Sequence, residues 1–294
     1  MDIRVLKYFL AVARYQTILK AAESLHITQP TLSRQLMNLE EELNCKLFLR
    51  SNKKITLTES GKFLAKRAEE IISLTEHTAS ALKVPQNLVS GSIYIGCAET
   101  NTMKHVARLT KNLYTQYPQI QFHLFSGNAE DVETRIDKGL LDFGILVGTS
   151  NKNNYNFLAL PAANRWGLLM RKDHFLAEKE YITASDLTGV PLFCSRQAMT
   201  DNELAGWLKG DISSLSIIGT YNLIYNASLM VEEGIGCALC LEGLVYTGSD
   251  SPLCCRPLSP ALEVPLYLIW KKYRPLTKPA QLFLEQMQHM PASS

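Results

Sequence analysis

Apolar residues over the first sixty positions recur at helical spacing and predict three short helices in close succession, at residues 4–14, 18–25 and 28–43. In the third segment the apolar positions are leucines spaced four, three and four residues apart: Leu32, Leu36, Leu39 and Leu43. This spacing places the leucines on one face, which we expect to be buried against the other helices. Two short helices joined by a few residues, neither stable alone, predict a helix-turn-helix.

The start of the third helix is polar on the face opposite the leucines. Thr28 is a suitable N-cap, and a proline in the first turn lacks only an amide proton that a helix start does not use. The side chains that this face presents are short hydrogen-bonding groups and one guanidinium: Gln29, Pro30, Thr31, Ser33 and Arg34. Such groups suit the floor of a DNA major groove, where arginine reads guanine and glutamine reads adenine. The alternative interpretation is an ordinary solvated helix face.

A basic turn and a short strand follow the third helix. Residues 55–57 alternate between apolar and polar side chains as a strand does, and the preceding turn carries Arg50, Lys53 and Lys54. We interpret this segment as the wing of a winged helix, with the three cations positioned for the DNA backbone or the minor groove.

A longer helix is predicted from residue 59 to about residue 83. Along it, apolar and threonine side chains alternate steps of four and three: Leu64, Ala68, Ile71, Thr75, Thr78 and Leu82. This heptad-like spacing predicts that the helix pairs with a second copy of itself. Residues 84–85 end the helix with a proline, and residues 90–91 mark the boundary of the next domain.

From residue 91 onward, short apolar runs alternate with helical segments. The predicted strands are near residues 92–97, 119–125, 141–147, 166–170, 190–194, 215–220, 235–241 and 266–270. The predicted helices are near residues 102–117, 129–138, 201–209, 224–233 and 278–287. This alternation predicts βαβ units, a mostly parallel sheet with helices on both faces, and two α/β lobes with a break near residue 160.

The chain has 294 residues, 46% of them hydrophobic and 20% charged, which is typical of a soluble protein with more than one domain. No apolar run approaches the roughly 20 residues that cross a bilayer, and the N-terminus does not resemble a signal peptide, so we expect a cytoplasmic protein without a membrane partner. Residues 1–60 contain nine Lys or Arg and six Asp or Glu, giving +3; the chain total of +2 leaves −1 for the remainder. A basic segment on a neutral body favours a polyanionic partner.

Seven cysteines, an odd number in a long chain, favour free thiols in a reducing compartment. Cys237 and Cys240 lie in an apolar run, Cys254 and Cys255 are adjacent, and no histidine is close to either pair in the sequence. We therefore interpret both pairs as inert core cysteines in preference to a metal or redox site.

Two other functions are compatible with parts of the pattern. A thiol-based redox sensor on the same architecture would use Cys97 and Cys194, which both lie at predicted strand ends. An enzyme would use the α/β half, but the sequence has no phosphate-binding loop, no Gly-x-Ser-x-Gly elbow and only six scattered histidines. We accordingly expect no catalytic residues, no metal site and no cofactor.

Six N-terminal segments together resemble the signature of LysR-type transcriptional regulators: LKYFLAVA at 6–13, AAESL at 21–25, TQPTLSR at 28–34, LEEEL at 39–43, KLFLR at 46–50 and LTESG at 57–61. Four later segments fall where that family has its regulatory-domain landmarks, at 91–96, 117–120, 139–142 and 231–236. The resemblance covers essentially the whole chain.

The resemblance implies a winged helix-turn-helix, a linker helix that dimerises and a two-lobed, periplasmic-binding-protein-like α/β effector domain. Its expected partners are double-stranded promoter DNA, a small-molecule effector, a second or further copies in a homodimer or homotetramer, and RNA polymerase. Gln29, Pro30, Ser33 and Arg34 match the recognition-helix positions, and Lys53 matches the basic wing position. The expected boundaries are 1–58, 59–89 and 90–294, with a first lobe at about 90–161 and 269–294 and a second at about 162–268.

Ligands of two-lobed α/β domains lie in the cleft between the lobes, at strand ends and helix N-termini. The expected effector-binding residues are Thr100, Asn101, Thr102, Ser126, Gly148, Ser195, Arg196 and Asn226. Their hydroxyls, amides and backbone N–H groups predict a mainly polar pocket that accepts an anion. The alternatives are helix capping for Asn101 and Thr102 and a surface ion pair for Arg196.

Overall fold

The computed structural model describes residues 1–50, 54–82, 89–148, 154–200, 202–208 and 215–289. They belong to two compact units, Met1–Lys83 and Val84–Ser294. The predicted wing residue Lys53 lies outside the described residues. In the described part of the chain, none of the helices combines the length and the apolar character that crossing a bilayer requires.

The first unit is a helix-turn-helix followed by a strand pair and a long helix. Its elements are α1 (Ile3–Tyr15), α2 (Ile18–Ser24), α3 (Gln29–Glu42), β1 (Phe48–Arg50), β2 (Ile55–Leu57) and α4 (Glu59–Leu82). Each of the first three helices begins after a residue whose side-chain oxygen accepts a backbone amide: Asp2, Thr17 and Thr28. Leu32, Leu36 and Leu39 are buried in one core with Phe9, as their spacing predicts. Leu43 lies past the end of α3 and is 37% exposed.

The structure of α4 differs from the predicted surface for pairing with a second copy. Leu64 and Ala68 are buried in the core of the first unit, so they are not available to a second copy. Four other apolar side chains of α4 are exposed: Phe63, Ile71, Leu74 and Leu82. At 100° per residue these four fall within about 100° of one another around the helix. The heptad-like pattern is therefore one face that is buried in the unit's own core at its start and exposed further along α4.

The second unit alternates strands and helices as predicted. Its strands are β3 (Gly91–Cys97), β4 (Ile120–Ser126), β5 (Phe143–Val147), β6 (Tyr155–Arg171), β7 (Pro191–Ser195), β8 (Ser216–Tyr221), β9 (Cys237–Leu241), β10 (Leu253–Pro257) and β11 (Glu263–Lys271). Its helices are α5 (Met103–Gln116), α6 (Ala129–Asp137), α7 (Arg196–Thr200), α8 (Asn202–Trp207), α9 (Ile224–Glu232) and α10 (Lys278–Gln288).

The nine strands form one continuous sheet in the order β4-β3-β5-β11-β6-β9-β7-β8, with β10 also paired to β6. Within each lobe three strands are parallel, β4-β3-β5 in the first and β8-β7-β9 in the second. The strands β6, β10 and β11 run antiparallel to their neighbours. The strand β6 extends through both lobes, because its first half pairs with β11 and its second half with β9 and β10.

Two details of the second unit differ from the sequence-based expectation. The strand β10 was not predicted, because its five residues include two cysteines, an arginine and a proline and show no clear alternation. The helix predicted at residues 201–209 is observed as α8, and the short helix α7 before it was not predicted.

Candidate DNA-binding surface and effector cleft

The start of α3 presents the polar patch that the sequence predicts. Gln29, Pro30, Thr31 and Arg34 are exposed, and Ser33 is half-buried. The hydroxyl of Thr31 lies 2.8 Å from that of Thr28 and forms a hydrogen bond with it. Because that bond belongs to the helix cap, Thr31 is less available to a partner than its neighbours on the patch.

The exposed face of α3 continues for one further turn beyond the predicted DNA-binding residues. Met37 is 42% exposed and Asn38 is exposed, three and four residues after Arg34. Side chains at these spacings are neighbours on a helix surface. The exposure of both side chains could have been predicted from the sequence, because both positions lie between the buried leucines.

The turn before α3 has a backbone conformation that the sequence did not indicate. His26 adopts a φ of 53°, in the left-handed region, and its side chain is exposed. The amide of Ile27 donates to the carbonyl of Ala22 at 3.0 Å, which closes the end of α2. The turn is thus fixed by backbone bonds, and no packing role for the imidazole is needed.

The predicted wing is an antiparallel strand pair. Phe48 pairs with Leu57 and Arg50 with Ile55. The amide of Ile55 also donates to the carbonyl of Gln16 at 2.9 Å, which attaches the pair to the end of α1. Lys54 precedes β2 and is exposed. Contacts of Arg50, Lys53 and Lys54 with DNA remain predictions.

The second unit contains a cleft between its two lobes with a volume of about 630 Å³, counting the space at its open mouth. The first lobe contributes strand ends and the loops that follow them, including Ala98, Glu99, Gly127, Asn128 and Gly148. The second lobe contributes residues at the same edge of its own sheet, including Ser195, Gln197, Tyr221 and Ile224.

Gly148 and Ser195 are the two predicted effector-binding residues that line the cleft. Ser126, Arg196 and Asn226 are not among the residues that line it, and their contacts with an effector remain predictions. Each is exposed or half-buried beside a residue that turns inward instead: Gly127 follows Ser126, Gln197 follows Arg196, and Ile224 precedes Asn226 by two positions.

Thr100 and Thr102 are also absent from the cleft wall. Both hydroxyls donate to the side-chain oxygen of Asn164, with a distance of 2.8 Å from Thr102. All three side chains are buried, and the Asn164 Nδ2 atom has no hydrogen-bond partner among the described residues. The two threonines therefore attach the start of α5 to the lobe-crossing strand β6. Their contacts with an effector remain predictions.

Asn101 contacts the other lobe. A Cβ atom added to Gly243 would lie 2.7 Å from the Asn101 Nδ2 atom, so the amide packs against the glycine backbone. Gly243 has a φ of +74°, which favours glycine at this position in any case. The side chain of Asn101 is exposed and does not line the cleft.

Two side chains form hydrogen bonds across the cleft. The backbone amide of Ile224, at the start of α9, donates to Glu99 Oε2 at 3.1 Å. The Gln197 amide donates to the carbonyl of Val147 at 3.2 Å and accepts from the amide of Ala129 at 3.4 Å. Glu99 and Gln197 were not predicted, because their partners lie in the other lobe and far away along the chain.

The thiols near the cleft are poorly suited to redox chemistry. Burial raises the pKa of the Cys97 thiol and outweighs a hydrogen bond at Ser126 that lowers it, and the Glu99 carboxylate adds a smaller increase. Burial raises the pKa of the Cys194 thiol to about 11. The reactive form of cysteine is the thiolate, so thiols with raised pKa values react slowly at neutral pH. All seven cysteines are free; of the two pairs interpreted as core residues, Cys237, Cys240 and Cys254 are buried and Cys255 is half-buried.

A helix-turn-helix with an exposed polar face and a two-lobed α/β unit with a central cleft define a class of ligand-responsive DNA-binding proteins. Residues 3–62 match the family described as bacterial regulatory helix-turn-helix protein, lysR family, and residues 86–291 match the LysR substrate binding domain. The chain belongs to the LysR family of transcriptional regulators.

Relatives of this chain match it over different lengths. An uncharacterized HTH-type transcriptional regulator of Bacillus subtilis, YvbU, is 25% identical over 293 residues, 99% of each chain. A probable RuBisCO transcriptional regulator of Emiliania huxleyi is 36% identical over 184 residues, 62% of this chain and 59% of the relative. The transcriptional dual regulator OxyR of Escherichia coli is 28% identical over 193 residues, 65% of this chain and 63% of OxyR. The aligned region thus spans about three fifths of the last two relatives.

Solved structures of the family share the fold. Full-length CbnR in complex with its target DNA superposes with a TM-score of 0.79 at 18% identity, covering 99% of this chain and 100% of CbnR. A full-length OxyR variant from Pseudomonas aeruginosa superposes with a TM-score of 0.56 at 20% identity, covering 98% of this chain and 99% of the OxyR chain. At these identities the superposition supports the architecture alone.

Proposed function

We propose that this LysR-family regulator binds double-stranded promoter DNA through the start of α3 and that a small molecule in the cleft changes its effect on transcription. The proposal of DNA binding rests on one observation: Gln29 and Arg34 are exposed on a helix whose opposite face is buried. These side chains can donate and accept hydrogen bonds at base edges in the major groove. The relative CbnR has been crystallised with its target DNA, which supports the same use here.

The boundaries of the three proposed parts are 1–58 for DNA binding, 59–89 for the linker helix and 90–294 for effector binding. The separation of the hydrophobic cores supports the two lobes of the last part. Ile95, Phe143 and Phe283 belong to a core of the first lobe, at about 90–161 and 269–294. Leu192 and Leu239 belong to a core of the second, at about 162–268.

We further propose that the protein assembles as a homodimer or homotetramer through α4. The exposed apolar side chains of α4 support this, because they form one face that water solvates poorly. A dimer presents two copies of α3 to two half-sites of an operator. The protein then acts in the cytoplasm, where promoters and RNA polymerase are found, as a regulator without enzymatic activity of its own.

Selection of genomic DNA fragments by the full-length protein tests this function. We expect repeated selection to enrich fragments that share one inverted-repeat sequence, upstream of a small set of genes. Arg34→Ala should lose the enrichment, since the side chain is proposed to read a base. Arg108→Ala, at an exposed position on α5, provides the matched control. Equal recovery of all fragments by the wild-type protein would contradict sequence-specific binding.

A further inference from the structure

The charge of the cleft wall differs from what an anionic effector requires. Among the described residues that line the cleft, Glu99 is the only acidic side chain, and Lys, Arg and His are absent. Arg196, which was expected to pair with an anion, is exposed and outside the wall. An anion that enters would meet a like charge without a compensating cation, and desolvating it there would be costly.

Glu99 is held at the wall by a contact that leaves most of its hydrogen-bonding capacity unused. Its Oε2 atom accepts one bond from the amide of Ile224, across the cleft. The residue before α9 is Leu223, whose side chain cannot cap the helix, so Glu99 supplies the missing acceptor from the other lobe. An ionised carboxylate has about four acceptor positions, and one amide uses only one of them.

The second lobe contributes aromatic and apolar side chains to the wall, beside the polar Ser195, Gln197 and Asn222. Trp166, Tyr221, Leu241, Leu244 and Val264 line the cleft from the second lobe. Burial raises the pKa of the Tyr221 hydroxyl well above its usual range, and the nearby thiols of Cys240 and Cys194 and the Glu99 carboxylate raise it further. Tyr221 therefore stays neutral and donates to the carbonyl of Leu239 at 2.6 Å.

Carboxylates and aromatic faces both attract organic cations. A protonated amine near Glu99 gains a charge-assisted hydrogen bond, which is stronger than a neutral one. An aromatic ring within about 6 Å of the cation adds a further attraction. The apolar side chains of the wall suit a hydrocarbon body of the same ligand.

We propose that the effector is a small organic amine with an apolar body, and that the carboxylate of Glu99 anchors its ammonium group. This inference rests on the proposed function, because it names the ligand class of the regulatory cleft. It replaces the anionic effector that the sequence alone indicated.

The test uses the full-length protein and three probes of similar size: 2-phenylethylamine, 2-phenylethanol and 3-phenylpropionate. Dissociation constants are measured by calorimetry or ligand-observed NMR at about pH 7, where the amine is protonated. We expect the amine to bind about tenfold or more tightly than the alcohol, and the carboxylate to bind most weakly.

Glu99→Gln tests the anchor itself. Glutamine keeps an acceptor for the amide of Ile224 but removes the charge, so the preference for the amine should fall to within about threefold of the alcohol. Glu285→Gln, an exposed position on α10, should leave the order of the three probes unchanged. The proposal is overturned if 3-phenylpropionate binds best, if Glu99→Gln keeps the preference for the amine, or if no probe binds.

A parallel measurement separates this inference from the proposed function. Binding of the same protein samples to an enriched operator fragment is followed by fluorescence anisotropy. Operator binding without amine binding refutes only the ligand class. Loss of sequence-specific DNA binding in the wild-type protein refutes the regulatory function itself.

Discussion

The side chain of Glu40 accepts a hydrogen bond from the backbone amide of Leu47 at 2.7 Å, which ties the last turn of α3 to the segment that leads into β1. The same Oε1 atom accepts from the amide of Phe48 at 3.2 Å, and Oε2 accepts from the Lys46 ammonium at 3.1 Å. The Glu40 side chain is only 4% exposed. Its burial raises the pKa, but the bonds from Leu47, Lys46 and Phe48 outweigh burial and lower it below the ordinary value of 4.5.

Glu40→Gln should therefore destabilise the DNA-binding unit at neutral pH. Hydrogen bonds to a charged group contribute about 1.5–3 kcal/mol, and we expect a loss of that order in the free energy of unfolding. Because the three tryptophans lie in the second unit, the measurement is amide hydrogen exchange of α3 and β1 by mass spectrometry. Glu41→Gln, at an exposed neighbouring position, is the control.

The same residue predicts a pH dependence. A carboxyl whose pKa is lower in the folded state contributes stability above its unfolded pKa and loses it as the pH falls through the folded value. Exchange from α3 in the wild type should accelerate as the pH falls below about 4.5, after correction for intrinsic rates. In Glu40→Gln this acceleration should be smaller. An equal pH profile in both proteins would refute the assigned role.

Arg34→Ala and Lys54→Ala should weaken DNA binding in different ways. Arg34 is proposed to read a base, so its loss should cost about 1–3 kcal/mol and relax the preference at one position of each half-site. Lys54 is proposed to contact phosphate, so its loss should weaken binding to all sequences. The slope of the logarithm of the binding constant against the logarithm of the salt concentration should become smaller in magnitude by about one. Titrations at several salt concentrations with matched and altered operators distinguish the two. Identical effects of both variants would contradict the separate roles.

The buried pair of bonds to Asn164 predicts a change in stability. Thr100→Val with Thr102→Val should lower the free energy of unfolding of the second unit by about 2–4 kcal/mol, because the buried Asn164 oxygen loses both donors. Adding Asn164→Leu removes the unsatisfied group and should recover much of the loss. Tryptophan fluorescence during urea unfolding measures the effect. Thr115→Val, at an exposed site bonded only to its own helix, should change stability by less than about 0.5 kcal/mol.

The exposed face of α4 predicts a change in assembly. Leu74→Arg with Leu82→Arg should shift the protein towards monomers, because burying two added charges in an interface is unfavourable. Arginine is a good helix former, so α4 itself should persist. Light scattering after size-exclusion chromatography gives the molar mass. Lys62→Gln, exposed elsewhere on α4, should leave the mass unchanged; an unaltered mass in the double arginine variant would exclude this face.

The helices of the first unit were predictable because their apolar spacing and caps are local properties. Periodicity does not reveal which partner a face meets, so Leu64 and Ala68 were assigned to a second copy although they belong to the unit's own core. The positive φ of His26 was not predictable either, because histidine has no strong preference for that conformation.

In the second unit the sequence correctly predicted the strand ends that surround the cleft, but often not the side chains that face it. Within residues 99–102 the sequence favoured the hydroxyls and the amide, whereas the structure turns Glu99 inward and both threonines away. The deciding contact joins Glu99 to Ile224, 125 positions away. Spacing within one segment carries no information about such a partner.

The strand β6 has a mechanical consequence for the regulatory unit. Its first half, residues 155–165, pairs with β11, with a register shift between Pro265 and Leu266. Two strands joined by ladder bonds resist sliding but can twist, and an irregularity in the register concentrates that twist. We therefore expect a change in the width of the cleft to twist this strand pair and to rotate one lobe against the other.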